Sequence, residues 1–232
     1  MFRKLFNEKR RRRAEERRRL SLILERQGVD LFLDVGANMG QTARSLREGG
    51  FGGRIISIEP VRACHEALHA ASAGDPKWDI AERCAIGESE GSVEIIVSEA
   101  SDLSSLSAPT ANLTGALPKA REAGREETPL RRIDKLLGDD IRAAAKPFLK
   151  IDTQGHDMAT LKSAKSVMDK LCGIQIEMSL LPLYEGEALY LDILTFLNAQ
   201  GFQPYMLVER TFSDPLARQL QLDGVFIREA EI

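Results

Sequence analysis

Residues 31–40 read LFLDVGANMG. An apolar run broken only by Asp34 has the length and composition of a buried strand, and Gly36 and Gly40 behind it predict a tight turn into a helix over residues 41–48. Strand, glycine turn and helix form the opening unit of a parallel α/β sheet, whose ligands sit beyond the carboxyl ends of its strands. Working outward, RIISIEP at 54–60 is a second strand stopped by Pro60, followed by a helix with an Ala-rich face over 63–73. Residues 80–86 predict a weaker third strand and 93–98 an additional one. FLKID at 148–152 is again a buried strand, leading into a helix over 157–171, and GIQIEM at 173–178 is the next. A helix over 188–200 stops at Gly201, and two final strands, 204–209 and 224–228, flank a turn-rich FSDP. The expected architecture is a Rossmann-like, doubly wound, mostly parallel seven-stranded sheet closed by a C-terminal antiparallel hairpin.

Residues 99–128 are rich in Ser, Thr, Ala and Gly and too long for an ordinary connection, so they predict either a functional lid or a mobile loop. At 232 residues with 43% hydrophobic content the chain holds one core. Its three cysteines, Cys64, Cys84 and Cys172, lack the spacing of a zinc site, and reduced thiols in the cytoplasm are expected. No apolar run reaches the roughly 20 residues needed to cross a bilayer. The net charge of −3 conceals an asymmetry, since residues 1–19 carry ten Lys/Arg against three Glu, a net of +7, leaving −10 elsewhere. Residues 1–29 therefore read as a basic helical arm outside a domain spanning 30–232. Such an arm suits packing on a neighbouring subunit or peripheral contact with an anionic membrane surface through Arg10 to Arg13, at the inner face of the membrane. Nucleic acid is not expected, because an acidic body with 6% aromatics offers neither basic groove nor stacking platform.

The chemistry concentrates at the strand ends. Gly36, Ala37, Asn38 and Gly40 shape the first turn, and Asp34 can accept from a ligand ammonium. A dinucleotide fingerprint needs glycine where Asn38 stands, which would crowd a pyrophosphate. S-adenosylmethionine carries no phosphate, and its amino acid, sulfonium and adenosine suit carboxylates and amides. Glu59 before Pro60, 19 residues after Gly40, lies where a carboxylate accepts ribose hydroxyls. Cys84 and Ala85 stand where the backbone would flank the adenine. In LKIDTQGHD at 149–157, Asp152, Thr153, Gln154, His156 and Asp157 crowd one strand end. His156 is the candidate base and Asp152 a second catalytic and cofactor-binding candidate. Glu177 ends the following strand and either orients substrate or meets solvent. His65 and His69 share a helical face without a third ligand nearby, so surface residues are expected and no metal.

Taken together, DVGANMG, IEP at 58–60, CAIG at 84–87, SSL at 104–106, ID at 133–134, LKIDTQGHD and QIEMSLLPLYEG at 175–186 resemble the FkbM-type methyltransferases, in order, from Leu31 to the C-terminus. The resemblance implies a class I methyltransferase fold, S-adenosyl-L-methionine as donor, and O-methylation of sugars or hydroxyls of secondary metabolites. It carries Asp34, Gly36, Asn38, Gly40 and Glu59 over as cofactor contacts. Gln154 stands where many members have Glu, and Asp157 replaces Glu.

The expected activity is O-methyl transfer to a hydroxyl of a sugar, glycolipid or similar polyol, on a small-molecule or glycan acceptor, by a chain that can form a homo-oligomer. The competing readings are an NAD(P)-dependent oxidoreductase, disfavoured by Asn38 and by the absence of a Tyr-x-x-x-Lys pair, and a non-catalytic membrane-associated scaffold.

Overall fold

The structure, a computed structural model, describes residues 2–228, with side chains from Arg11 onward except Arg13. Its strands are β1 (Leu31–Val35), β2 (Arg54–Ile58), β3 (Trp78–Ile80), β4 (Ala85–Ile86), β5 (Gly91–Ser98), β6 (Glu122–Arg131), β7 (Pro147–Ile151), β8 (Gly173–Ser179), β9 (Phe202–Glu209), β10 (Phe212–Ser213), β11 (Arg218–Gln219) and β12 (Gln221–Arg228). The helices are α1 (Phe2–Gln27), α2 (Gln41–Glu48), α3 (Arg62–Ser72), α4 (Ala111–Ala116), α5 (Ile133–Leu136), α6 (Gly138–Ala143), α7 (Asp157–Ser163) and α8 (Tyr190–Ala199).

Seven strands form the main sheet in the order β3-β2-β1-β7-β8-β12-β9. β1 pairs in parallel with β2 on one side and β7 on the other, and all five of its residues are buried. Strand order therefore reverses at β1, which opens a crevice between the turns that follow β1 and β7. β12 runs antiparallel to both β8 and β9, giving the terminal hairpin.

The strand period of two divides the side chains between the faces. Leu31, Leu33, Val35, Leu149, Ile151, Ile174 and Ile176 pack on one face with Ile193 and Leu197 of α8. Phe32, Ile55 and Phe148 pack on the other with Ala43 and Leu46 of α2, and Phe32 stacks on Phe148 at 5.4 Å between centroids.

Four expectations are revised. The third strand of the sheet is β3, earlier than residues 80–86, while β4 turns away to pair with β6. Residues 99–128 are not a long structureless loop, because β6 begins at Glu122 and pairs antiparallel along β5, and a bridge ties Ile96 to Ser105. The backbone of β5 supplies hydrogen-bond partners that a composition of small polar residues does not reveal. The helix over 157–171 is α7 followed by a 3-10 turn, Lys165–Lys170.

The basic helix is also not wholly outside the core. Leu24 is 1% exposed and packs among Phe32, Phe148 and Ile227, with Leu20 and Ile23 beside it. Higher up, Arg12 reaches the Glu209 carboxylate at 3.2 Å, Glu16 pairs with Arg210 at 2.9 Å, and Arg17 pairs with Glu48. Arg18 and Arg19 both reach Glu15. Arg12, Arg17, Arg18 and Arg19 are each engaged by a carboxylate, while the side chains of Arg10 and Arg13 lie outside the described residues. No described helix is long and apolar enough to cross a membrane.

Candidate functional site

A cleft opens at the carboxyl ends of β2, β1 and β7, as the sheet topology requires. Gly36 and Asn38, Glu59 and Pro60, Cys84 and Ala85, and Asp152 and His156 all line it. Gly36 has φ +73° and Asn38 φ +48°, so the turn after β1 is left-handed at both positions, and Asn and Gly are the residues that tolerate this most readily. The Asn38 side chain is held by the Met39 N–H, which donates to its Oδ1 at 2.7 Å, and by the Ser101 hydroxyl, to which its amide donates at 3.1 Å.

Glu59 is 5% exposed and its two oxygens accept the N–H groups of Asn38 at 2.8 Å and Val61 at 2.9 Å. Burial pushes its carboxyl up to about 7 against the pull of those two donors. Each oxygen keeps lone-pair capacity for a further donor from the cleft. Burial also pushes the Cys84 thiol up to about 12, leaving a neutral apolar wall between Glu59 and Ala85.

Asp34 does not face the cleft. Strand parity puts it on the face of Phe32, where the register sets it directly opposite Lys150 of β7. The Lys150 ammonium lies 3.0 Å from Asp34 Oδ1, donates to the Gly36 carbonyl at 3.0 Å and sits 3.7 Å from Asp152 Oδ2. Burial alone would lower this lysine, but the Asp34 and Asp152 carboxylates outweigh it and hold the ammonium above the ordinary lysine range. Asp34 and Lys150 thus brace the glycine turn from beneath. Ala37 and Gly40 likewise pack inward: Ala37 belongs to the core of that face, and a Cβ on Gly40 would meet the Trp78 ring at 2.7 Å.

Beyond β7, Gln154 has φ +50° and is 8% exposed. Its amide donates to Asp152 Oδ1 at 2.6 Å and to Glu177 Oε2 at 2.9 Å, while its Oε1 accepts from the Tyr184 hydroxyl at 2.8 Å. The Ser105 hydroxyl donates to its carbonyl at 2.5 Å. Glu177 is therefore neither a group lining the cleft nor a solvent-facing strand end: it anchors Gln154, with Gln221 donating to the same oxygen at 2.6 Å. Burial, with Asp152 and Asp223 nearby, raises Glu177 well above the usual carboxylate range. Asp157 accepts from Thr153 N at 2.9 Å and Gly155 N at 3.0 Å, which folds the loop, and burial pushes it up to about 6.

His156 lies on the cleft wall. Burial lowers its pKa below the ordinary histidine value, with Glu88 pulling weakly the other way, so the ring is neutral near pH 7. His65 instead bonds the Ala81 carbonyl at 2.9 Å, and no cluster of three metal-ligating side chains occurs among the described residues.

The model of the methyltransferase FkbM domain matches residues 34–204. The chain belongs to the FkbM methyltransferase family. This FkbM methyltransferase has the class I fold, α/β with a mostly parallel seven-stranded sheet and antiparallel strands at its C-terminal end. Among solved structures it is similar to magnesium protoporphyrin IX methyltransferase from Synechocystis PCC 6803, at 7% identity over 93% of this chain and 79% of that one, with a TM-score of 0.49. It is also similar to an S-adenosylmethionine-dependent methyltransferase from Aquifex aeolicus, at 11% identity over 89% and 88% of the two chains, with a TM-score of 0.44. No curated protein sequence matches it.

The sequence pattern missed Lys150 and the bridging role of Gln154. Lys150 in the middle of a buried strand was the available signal, because a buried ammonium demands partners.

Proposed function

We propose that this chain binds S-adenosylmethionine in the cleft and catalyses O-methylation of a sugar, glycolipid or similar polyol hydroxyl. The carrying observation is the make-up of the cleft, which among the described residues is lined by Glu59, Asp102 and Asp152 and by no Lys or Arg. Such a lining suits a ligand that is cationic or neutral at its centre and opposes a diphosphate, which wants helix N-terminal amides or basic side chains unaccompanied by carboxylates. The oxidoreductase reading is disfavoured on this ground as well as by Asn38. A methyl donor of this class supplies an electrophilic methyl on a positively charged sulfur.

The chain's own residues supply the rest. Glu59 accepts the ribose hydroxyls through its free lone pairs. Cys84, Ala85 and Ile86 form a dry wall for the adenine. Asp152, held by Gln154, stands at the acceptor side, and neutral His156 takes the hydroxyl proton on Nε2 or Nδ1. A sugar hydroxyl is weakly acidic, so alignment and exclusion of water provide more of the acceleration than the base does. Ser105, tied down through Ile96 and Gln154, and Ser104, whose hydroxyl accepts the Ser98 N–H, line the cleft. Three unpaired, buried thiols fit a reducing, cytoplasmic setting.

Thermal unfolding with excess S-adenosylhomocysteine, and with NAD as control, tests the donor class: stabilisation by the former alone is expected, at about 2.7 kcal/mol when ligand is about 100 times its dissociation constant. Stabilisation by NAD alone would overturn the reading. Transfer of labelled methyl to a panel of glycans and polyols, lost in His156→Ala, tests the acceptor class and the base.

A further inference from the structure

We infer that the cleft recognises the positive charge on the donor's sulfur, with Asp152 as its counter-charge, so that S-adenosylmethionine binds more tightly than its neutral product S-adenosylhomocysteine. This rests on the donor reading above and adds the part of the ligand that the site selects.

Three neighbouring strand ends carry the argument. Glu59 follows β2, Gly36 follows β1 and Asp152 follows β7, in that order along the sheet edge. Adjacent strands lie about 4.8 Å apart, so the two carboxylates flank the glycine turn at roughly 10 Å from each other. A ligand whose ribose meets Glu59 and which runs along this edge brings the atom joining ribose to amino acid over Gly36, towards Asp152.

The local charge at that point is negative. Lys150 is the cation beneath the turn, its side chain is 7% exposed, and it is shared between Asp34 at 3.0 Å and Asp152 at 3.7 Å. The closer of the two contacts goes to Asp34, so Asp152 is the less neutralised carboxylate. Asp34 is fully buried, whereas the Asp152 side chain is 38% exposed, so it is Asp152 that opens to the cleft. Gln154 occupies Asp152 Oδ1 and, among the described residues, leaves Oδ2 with only the longer Lys150 contact. Asp102, on a separate 3-10 turn over Ser101–Leu103 that lines the cleft, adds a second carboxylate of the same sign. In a partly enclosed cleft, where charge interactions are less screened than in water, a cation is favoured there over a neutral group of the same shape.

The two adenosyl ligands form a matched pair. They share adenine, ribose and amino acid, and differ by one methyl and one positive charge, so contacts at Glu59 and the adenine wall cancel in their ratio. Methyl transfer then removes the very charge that the site holds, and the product is released readily.

Isothermal titration calorimetry of the full chain with S-adenosylmethionine, S-adenosylhomocysteine and sinefungin, which carries an amine in place of the sulfonium, tests this. The two cationic ligands are expected to bind about tenfold more tightly than S-adenosylhomocysteine, a gap of about 1.4 kcal/mol. Asp152→Asn should shrink the ratio to about twofold or less, and Asp102→Asn should keep most of it. Equal or tighter binding of S-adenosylhomocysteine to the unmodified chain overturns the inference, and this comparison decides alone if Asp152→Asn does not fold. An Asp152→Asn variant that weakens all three ligands by one factor also overturns it, since Asp152 would then serve the amino-acid end they share. Binding by none of the three overturns the donor reading itself.

Discussion

A Cβ placed on Gly36 would lie 1.8 Å from the carbonyl oxygen of Asp152. The turn after β1 and the first residue after β7 are thus in backbone contact, and that contact forms the floor of the cleft. Gly36 also has φ +73°, which an L side chain adopts only with strain. Gly36→Ala combines both penalties, and a loss of about 3 kcal/mol or more is expected, with adenosyl-ligand binding abolished. Urea unfolding measures it, and a variant within about 1 kcal/mol of the parent would refute the contact.

Glu59 titrates in the working range. Its folded-state pKa of about 7 lies above the ordinary carboxylate value of 4.5, so its contribution to the stability of the free protein is present below about 4.5 and is lost as pH rises through about 7. Ligand binding runs the other way. Ribose hydroxyls donate to the carboxylate, so binding below pH 7 must expel a proton, and affinity for S-adenosylhomocysteine should fall about tenfold between pH 8 and pH 6. Calorimetry in two buffers of different ionisation enthalpy reads the proton release directly. Glu59→Gln should bind weakly and without this pH dependence.

The amide of Gln154 satisfies two carboxylates, Asp152 and Glu177, that would otherwise face one another. Gln154→Glu replaces a donor to both by a third acid in the same contact. The new carboxyl is then protonated in the fold, with its pKa raised, so the stability it leaves is greatest at low pH and lost as pH rises. The variant should be about 1 to 3 kcal/mol more destabilised at pH 8 than at pH 5. Melting curves at the two pH values decide, and a pH-independent difference from the parent would show that the bridge does not operate in solution.

Leu24 tests where the domain begins. If α1 were an appendage, truncating one side chain in it would change little. Leu24 is 1% exposed among Phe32, Phe148 and Ile227, so Leu24→Ala should cost about 2 to 5 kcal/mol. For a chain of this size that is roughly 5 to 15 °C in melting temperature. Leu22→Ala, at a position 44% exposed on the same helix, serves as the comparison and should leave stability nearly unchanged.

The amino-acid sequence by itself determined the central strands of the sheet and the place of the site. Five-residue apolar runs such as LFLDV and FLKID specify buried strands through local composition, and left-handed turns at Gly36 and Gly40 write themselves as glycine. The residues after those turns must gather at one edge, because parallel strands all end on the same side. Only the tertiary structure decided which side chains enter the cleft. Asp34 reads as a ligand contact, yet strand parity and register set it against Lys150, 116 residues away along the chain. Glu177 reads as a strand-end carboxylate, yet Gln154 and Gln221 claim it. Residues 99–128 read as loop because β6 owes its existence to the long-range edge of β5 rather than to its own composition. Pairings between residues far apart in the chain leave no local pattern, and in this protein they bury Asp34, tie Glu177 and present Asp152 to the cleft.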